Sequence, residues 1–498
     1  MNLTENKIYK LYAHYKKKAR QYCEKANYNN SLLYLTVAGY TGYHYYIGYK
    51  DDEVEDILSN ISNQLIKKKD DKHRKKSECV FYDSFSSDNG GLTQQYLTAI
   101  ISCGLRLVYI TERKDFLNSN SEIKKQLDNY GKAVVIEVPS HANYWEKAQF
   151  VYDTIIESEA EKLFIHTEPY SAFASVAFYG LPNTIKKYKI NLTDQTFWLG
   201  TGFIDYSFEF RQFGWHLSVV KRGISDSKIL CLPYYPILNN EPFQGFPAVA
   251  QGKIILFSGA SYYKIYDKDD IFFKICKEIL NACPELLILF AGYGRINVLN
   301  DKLVQYGIKD RFIPIGQRSD ITEVFKHCDI YLNTYPVGGG LMLLYAAQLG
   351  KPIVCYRAKT TAGAEDIVCQ RQYYNISDDD IPSLVKRVKR LVNDSEYRKE
   401  YGCRIKDCTI SNEMFNSLFS EYLDTGINKI SFDGEINYER HTLDINNAIS
   451  YDNINKMYPH TIVKFFGKRS LFECPDFLLD YIITNVRNGR WVKKIARR

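Results

Sequence analysis

Short apolar runs alternate with amphipathic stretches along most of the chain, in two blocks. Short apolar strands that alternate with helices are typical of mostly parallel sheets covered by helices. The pattern therefore predicts two consecutive α/β domains. Strands are predicted at 79–85, 105–111, 133–139, 162–167 and 196–200 in the first block and at 253–259, 286–292, 311–316, 329–335 and 352–357 in the second.

Segments with other residue patterns flank and separate the two blocks. Residues 5–68 carry apolar and aromatic positions at spacings of three and four, which predicts helices. The stretch 232–253 holds four prolines and no clear period, as expected of an interdomain linker. Helical patterning returns from about 426. We therefore predict four parts: a helical module at 1–78, α/β domains at 79–240 and 241–425, and a helical tail at 426–498.

Composition narrows the class of protein. The 498 residues include twelve cysteines without a Cys-x-x-Cys pair and nine histidines without zinc-ligand spacing, so we expect no structural metal. No apolar run could span a bilayer, and the first residues lack a signal-like apolar core, which predicts a cytoplasmic protein. The net charge is +7. The basic segment 487–498 suits peripheral contact with anionic lipid head groups, or is a solvated terminal helix. No nucleic-acid-binding motif accompanies the charge.

Small and basic residues gather where predicted strands end. Ligands of parallel α/β sheets bind at the carboxyl ends of the strands, and basic residues near helix N-termini hold diphosphates. Gly90 and Gly91 follow the first strand. No Walker lysine motif is present, which excludes a P-loop nucleotidase. In the second block such residues are Gly259, Ser261, Lys264, Gly292, Gly294, Arg295, Gln317, Arg318, Gly338, Gly339 and Gly340.

These motifs resemble the donor domain of GT-B glycosyltransferases, which have two Rossmann-like domains facing a cleft. The resemblance rests on "LFSG…YYKI", "LLILFAGYGR", "RFIPIGQRSD" and "LNTYPVGGG…LGKPIV", and is strongest to the O-GlcNAc-transferase-like branch. It implies a metal-independent hexosyltransferase-type enzyme without a cofactor, whose donor substrate is a nucleotide sugar, UDP-linked by this analogy. Lys264 would contact the diphosphate and Gly339 and Gly340 would offer backbone N–H groups. The implied donor-binding set is Gly259, Ser261, Lys264, Arg295, Gln317, Arg318, Gly338, Gly339, Gly340 and Leu341.

The first domain supplies the acceptor side and a candidate base. "FIHTEP" at 164–169 resembles a strand-end segment of retaining GT-B enzymes and offers His166 and Glu168. "NLTDQTFWLG" at 191–200 resembles a segment of some bacterial transferases and offers Asp194. We therefore expect Asp194, His166 and Lys264 to be catalytic, with Gly90 and Gly91 in a loop on the acceptor side.

The sequence also departs from the donor pattern. Leu341, Met342 and Tyr345 stand where that branch has phosphate-binding hydroxyls and a ribose carboxylate. The main prediction is transfer of a sugar to a hydroxyl of a glycan or a protein. A non-catalytic GT-B homologue that binds a glycan or activates a partner, and a nucleotide-sugar epimerase, remain alternatives. Whether the anomeric configuration is retained or inverted is left open.

Overall fold

The computed structural model of this chain describes residues 5–45, 47–70, 74–88, 91–191, 193–357, 364–430, 461–475, 478–479 and 482. Two parallel β-sheets, each with helices packed on its faces, form the body of the protein. The predicted α/β class with two Rossmann-like sheets is confirmed.

The first sheet has seven strands in the order β3-β2-β1-β4-β5-β6-β7, all parallel. Apolar residues on both of its faces are buried under helices, as expected of a parallel sheet. Its strands are β1 (Lys75–Asp83), β2 (Arg106–Thr111), β3 (Ala133–Glu137), β4 (Ala160–His166), β5 (Lys186–Ile190), β6 (Tyr206–Glu209) and β7 (Ile229–Cys231). The helices along this part of the chain are α4 (Leu92–Ser102), α5 (Glu122–Tyr130), α6 (Tyr144–Glu157), α7 (Ala172–Gly180) and α8 (Gln212–Val220).

The predicted strand at 196–200 is wrong. Those residues form a buried loop between β5 and β6, with Trp198 only 1% exposed. An apolar run indicates burial, but a loop packed inside a domain gives the same signal. The pattern also missed β5, whose "KKYKI" sequence is rich in lysine, and the short strands β6 and β7.

The N-terminal helices pack directly against the first sheet domain. They are α1 (Glu5–Glu24), α2 (Tyr28–Tyr45) and α3 (Asp52–Leu65), and their apolar side chains share one core with α6, α7 and one face of the sheet. The Ser62 hydroxyl donates to the Val176 carbonyl at 2.7 Å, and Glu55 accepts the Gly200 N–H at 2.7 Å. These helices therefore extend the first domain.

The second sheet has six parallel strands in the order β10-β9-β8-β11-β12-β13. Its five predicted strands are present, and the two-residue β13 is additional. The strands are β8 (Ile254–Gly259), β9 (Leu286–Ala291), β10 (Phe312–Gly316), β11 (Ile330–Leu332), β12 (Ile353–Tyr356) and β13 (Ser377–Asp378). The helices are α9 (Ile271–Ala282), α10 (Ile296–Gln305), α11 (Ile321–His327), α12 (Gly340–Gln348), α13 (Glu365–Val368), α14 (Ile381–Asn393), α15 (Ser395–Asp407) and α16 (Asn412–Thr425).

The last of these helices crosses back to the first domain. Phe415, Phe419 and Tyr422 of α16 lie in the core of the first sheet, where the Phe419 ring is 5.3 Å from the ring of Phe164. The linker between the sheets contacts both domains. The Tyr345 hydroxyl of α12 donates to the Ile237 carbonyl at 2.6 Å, and the Gln95 side-chain amide of α4 donates to the Tyr235 carbonyl. The domain boundaries stay predictions. Helix α16 follows the second domain in the chain but packs on the first.

The tail is described only in part. Residues 461–466 are helical, and a short helix follows at Ser470–Glu473. The basic segment 487–498 lies outside the described residues, so its contact with lipid stays a prediction. Within the described ranges, no helix has both the length and the apolar character that a membrane crossing needs.

Candidate active site

Lys264 lies in a short 3-10 turn, Tyr262–Ile265, after the carboxyl end of β8. Its Nζ is 3.5 Å from the Gly338 carbonyl oxygen, and its own carbonyl accepts the Val337 N–H at 3.3 Å. Burial lowers the pKa of Lys264. Among the described residues, Lys264 has no carboxylate partner. An ammonium group held in this way, without a counter-ion, is suited to an anionic ligand.

Closely packed loops hold that turn in place. A Cβ on Gly292 would lie 1.9 Å from the Ala260 carbonyl oxygen, and one on Gly294 would lie 2.6 Å from the Tyr262 Cβ. The Gly292 N–H also donates to the Gly316 carbonyl at 2.8 Å. The glycines after β9 are therefore needed for contact with the turn that carries Lys264. Gly259, at the end of β8, lies against Met342, and Ser261 begins the turn.

The glycine run begins helix α12. Gly338 is exposed, while Gly339 is buried and caps the helix. The Gly339 N–H donates to the Asn333 Oδ1 at 3.0 Å, so this donor, which we expected to face the diphosphate, already has a partner. The first backbone bond that closes the helix runs from the Leu343 N–H to the Gly339 carbonyl. The N–H groups of Gly340 and Leu341 lie in the first turn, where a helix binds anions.

The remaining expected donor contacts are placed differently. Arg295, which precedes α10, and Gln317, which follows β10, are exposed. Arg318 instead forms a two-pronged ion pair with Asp320, at 2.7 Å from Nε to Oδ1, and donates to the Gly245 carbonyl at 2.9 Å. The guanidinium of Arg318 is therefore already paired within the protein, and its contact with the donor stays a prediction.

His166 and Asp83 form a buried pair at the carboxyl ends of β4 and β1. The two residues are register partners, and His166 Nδ1 is 3.1 Å from Asp83 Oδ1. Thr93 and Tyr109 donate hydroxyl hydrogen bonds to Asp83 Oδ2 at 2.7 and 2.8 Å. Burial opposes the ionised form of Asp83, but the interaction with His166 and the hydrogen bond from Thr93 outweigh it and lower the pKa of Asp83. The acceptor-only carboxylate of Asp83 favours a proton on His166 Nδ1. His166 Nε2 is buried and has no hydrogen-bond partner among the described residues.

Asp194 has a different environment. It is fully buried, and the Arg211 guanidinium donates to both of its oxygens, at 2.5 Å from Nε and 2.8 Å from Nη2. This ion pair occupies the atoms that a base would use, so the arrangement supports a structural role for Asp194. Gly91 precedes α4 with φ of 69° and lies against Ile237 of the linker. Gly90 lies outside the described residues.

A second carboxylate joins the two domains next to this ion pair. Asp366 of α13 accepts the backbone N–H groups of Gln212 and Phe213, at 3.1 and 3.3 Å, and lies 3.9 Å from Arg211. Sequence reasoning missed Asp83, Arg211 and Asp366. Asp83 had a usable signal, because it ends the first strand as His166 ends the fourth. The described residues contain no group of three metal-ligating side chains.

Comparisons with known proteins agree with this architecture. Residues 252–394 match the family described as "Glycosyl transferases group 1". Among solved structures, HepE of Anabaena, in complex with UDP and glucose, superposes with a TM-score of 0.53 at 12% identity, over 70% of this chain and 99% of that one. A mutant O-GlcNAc transferase of Thermobaculum terrenum gives 0.52 at 12% identity, over 82% and 84%. The fold is GT-B.

A third GT-B neighbour, a glycosyltransferase of Rickettsia africae, gives a TM-score of 0.52 at 10% identity, over 70% of this chain and 98% of that one. No curated protein matches the chain by sequence. The family match covers the second domain from β8 through α14 and so includes the Lys264 turn, the loops after β9 and β10, and helix α12. In this GT-B chain, those loops lie where parallel sheets bind nucleotides.

Proposed function

We propose that this protein is a glycosyltransferase that moves a sugar from a UDP-linked donor to a hydroxyl of an acceptor. The observation that carries the proposal is Lys264, a cation without a carboxylate partner among the described residues, next to the first turn of α12. A diphosphate there would meet one ammonium group and the backbone N–H groups of Gly340 and Leu341. The family match of the second domain supports transfer, and the UDP held by the HepE structure supports the choice of nucleotide.

The chemistry follows from these groups. The bond between the anomeric carbon and the diphosphate oxygen breaks, and a new bond forms from that carbon to the acceptor oxygen. The acceptor proton goes to His166 Nε2, whose partner Asp83 then stabilises the imidazolium. The leaving UDP gains negative charge, which Lys264 and the N-terminus of α12 neutralise. These groups carry the charge changes of the reaction as we propose it.

UDP binding by isothermal titration calorimetry tests the proposal. The wild-type protein is expected to bind UDP, and Lys264→Ala is expected to weaken binding at least tenfold because the ammonium is lost. Lys268→Ala is the matched control, since Lys268 is exposed four residues later. Absence of UDP binding by the wild type, or equal effects of the two variants, would contradict the proposal.

A non-catalytic GT-B homologue is the second candidate. It is favoured by Leu341 and Met342, which are half-buried against the core of the second domain, and by Tyr345, whose hydroxyl bonds the linker. None of these side chains offers a polar contact to a nucleotide. Release of UDP from UDP-glucose, followed over time with and without saccharide acceptors, separates the two candidates. A protein that binds UDP and never turns over UDP-sugars would be the homologue.

A further inference from the structure

Aromatic rings cluster beside the His166 loop, outside the groups used above. Tyr40, Tyr43 and His44 project from helix α2, and Tyr170 follows β4. The Tyr170 ring centre is 5.0 Å from that of Tyr40 and 6.0 Å from that of Tyr43, and the Tyr43 and His44 rings are 4.6 Å apart. Tyr40 is buried, whereas Tyr43, His44 and Tyr170 keep part of their surface exposed. The cluster thus presents partly open ring surfaces on a buried base.

The backbone around the cluster is fixed. A Cβ on Gly39 of α2 would lie 3.1 Å from the Tyr170 Cβ, so the glycine allows the helix to approach the loop. The Glu168 N–H donates to the Ser84 hydroxyl at 2.6 Å, and the Leu199 N–H donates to the Pro169 carbonyl at 2.8 Å. Loop and helix therefore hold the rings and Glu168 in one arrangement, as a binding site requires.

The charge of the cluster is opposite to that of the donor site. Glu168 is half-buried, and within the described ranges no lysine, arginine or histidine lies within ion-pair distance of it. Burial raises the pKa of Glu168, and a hydrogen bond with Tyr170 opposes that rise. Burial raises the pKa of Tyr43 to about 12, and the phenol of Tyr263, next to Lys264, adds to the rise. A phosphate is thus favoured near Lys264 and disfavoured near Glu168.

We propose that Tyr43, His44, Tyr170 and Glu168 form the subsite for a neutral saccharide, the acceptor end of a glycan. Aromatic rings can cover the apolar C–H face of a sugar ring, while a carboxylate accepts hydrogen bonds from its hydroxyls. The inference rests on the proposed transferase function and deepens it by naming a glycan, not a protein, as acceptor. Glu168 of the subsite is two residues from His166 along the chain, so a hydroxyl bound to its carboxylate would be near the proposed base.

Saturation-transfer NMR with the full-length protein tests the subsite. The probes are mono- and disaccharides of glucose, galactose and N-acetylglucosamine, each measured with and without UDP. At least one saccharide is expected to bind, and Tyr170→Ala and Glu168→Gln are each expected to weaken its binding at least tenfold. Tyr170→Phe keeps the ring and is expected to stay within about threefold. Tyr9→Ala, an exposed tyrosine on α1, is the matched control and should bind as the wild type does.

The outcomes separate this inference from the proposed function. UDP affinity is measured on the same samples and is expected to be unchanged in Glu168→Gln. If the wild-type protein does not bind UDP, the proposed transferase function is refuted, while the saccharide titration still tests the subsite. Failure of all saccharides to bind, or saccharide binding that both Glu168→Gln and a normally folded Tyr170→Ala leave unchanged, would overturn the subsite. Binding of serine- and threonine-containing peptides in place of saccharides would also overturn it. Thermal unfolding midpoints identify a variant that does not fold, in which case Glu168→Gln decides.

Discussion

Lys264 and Arg318 are both basic residues at strand ends of the second sheet, but only Arg318 has a carboxylate partner in the described structure. A cation that is paired within the protein contributes to packing, whereas one held without a counter-ion retains its electrostatic attraction for a ligand. The same comparison separates the acids of the first domain. Asp194 is neutralised by Arg211. Asp83 is bound to a histidine whose second nitrogen has no partner in the part of the chain that the structure describes.

The Asp83–His166 pair gives a prediction for a single residue. Asp83→Asn is expected to lower kcat for sugar transfer about 100-fold or more, because the amide no longer fixes the proton on Nδ1 or stabilises the imidazolium. The KM for the UDP-sugar is expected to stay within about threefold. Steady-state kinetics across pH should also show the acidic limb of the rate profile moving to lower pH.

Asp269→Asn is the matched control, since Asp269 is exposed and lies outside this pair. A purely structural role for Asp83 would instead lower kcat without moving the limb.

At the level of secondary structure elements, the donor site depends on loops that touch where side chains would collide. Four backbone contacts join the loops after β8, β9, β10 and β11: Ala260 to Ala291, Tyr262 to Tyr293, Gly292 to Gly316, and Val337 to Lys264. Glycines make this contact possible, because a single methyl group on Gly292 would overlap a carbonyl oxygen. The glycine content of the strand ends thus serves loop packing as much as ligand approach.

Gly292→Ala is therefore expected to weaken UDP binding at least tenfold, measured by calorimetry, because the turn that carries Lys264 must shift. Gly307→Ala is the control. Its φ is 68°, and a Cβ there would meet nothing within 4 Å, so it tests backbone strain without a collision. Equal UDP affinities in the two variants would show that the loop contact is not needed for the site.

At the scale of the whole molecule, buried polar contacts join the two domains. Asp366 of the second domain accepts two N–H groups at the start of α8 in the first, where a carboxylate also complements the helix dipole. Arg211 lies between Asp194 and Asp366. Helix α16 adds an apolar contact by packing on the first sheet. The ion cluster and helix α16 thus both contribute to holding the two domains in their relative position.

This interface predicts a pH dependence of stability. Burial raises the pKa of Asp366 from 3.8 in the unfolded chain to about 6 in the folded protein. The charge of Arg211 opposes this rise, and that of Asp194 adds a smaller contribution to it. The folded protein therefore holds a proton that the unfolded chain releases, and the stability due to Asp366 falls as pH rises from about 4 to 6. In the wild type, this fall lowers the free energy of unfolding by up to about 3 kcal/mol between pH 4 and pH 8, and Asp366→Asn is expected to remove it. Chemical unfolding at the two pH values measures it.

Asp194→Asn is expected to act in the opposite direction. It leaves the buried Arg211 guanidinium without its full counter-charge, which costs about 3–5 kcal/mol near neutral pH. The same unfolding experiment measures this loss. A stabilising Asp194→Asn, or an Asp366→Asn variant that keeps the wild-type pH dependence, would contradict the account of the interface.

Sequence patterns located elements better where an element is long and apolar. β1, β2, β4, β8 and β9 were predicted because each has several consecutive buried apolar residues that local pattern reveals. The lysine-rich β5 was missed, and the loop around Trp198 was taken for a strand. Of the candidate site, Lys264 is predicted as a basic residue after a strand and His166 from the resemblance of the segment 164–169, and the roles of both stay predictions. Arg318 and Asp194 are equally plausible candidates in the sequence, but in the structure each is paired with an opposite charge, Asp320 and Arg211.

The sequence by itself determined the alternation of strands and helices, the two-sheet organisation and the glycines at the strand ends, because these depend on local periodicity and on backbone conformation. Only the tertiary structure decided which charges are paired. Asp83 and His166 are 83 positions apart. Arg211 of the first domain lies between Asp194 of the same domain and Asp366 of the second. Ion pairing and burial depend on distances between residues far apart in the chain, which the sequence pattern does not contain. The aromatic cluster on α2 and Glu168 likewise becomes a site only when the helix packs against the loop.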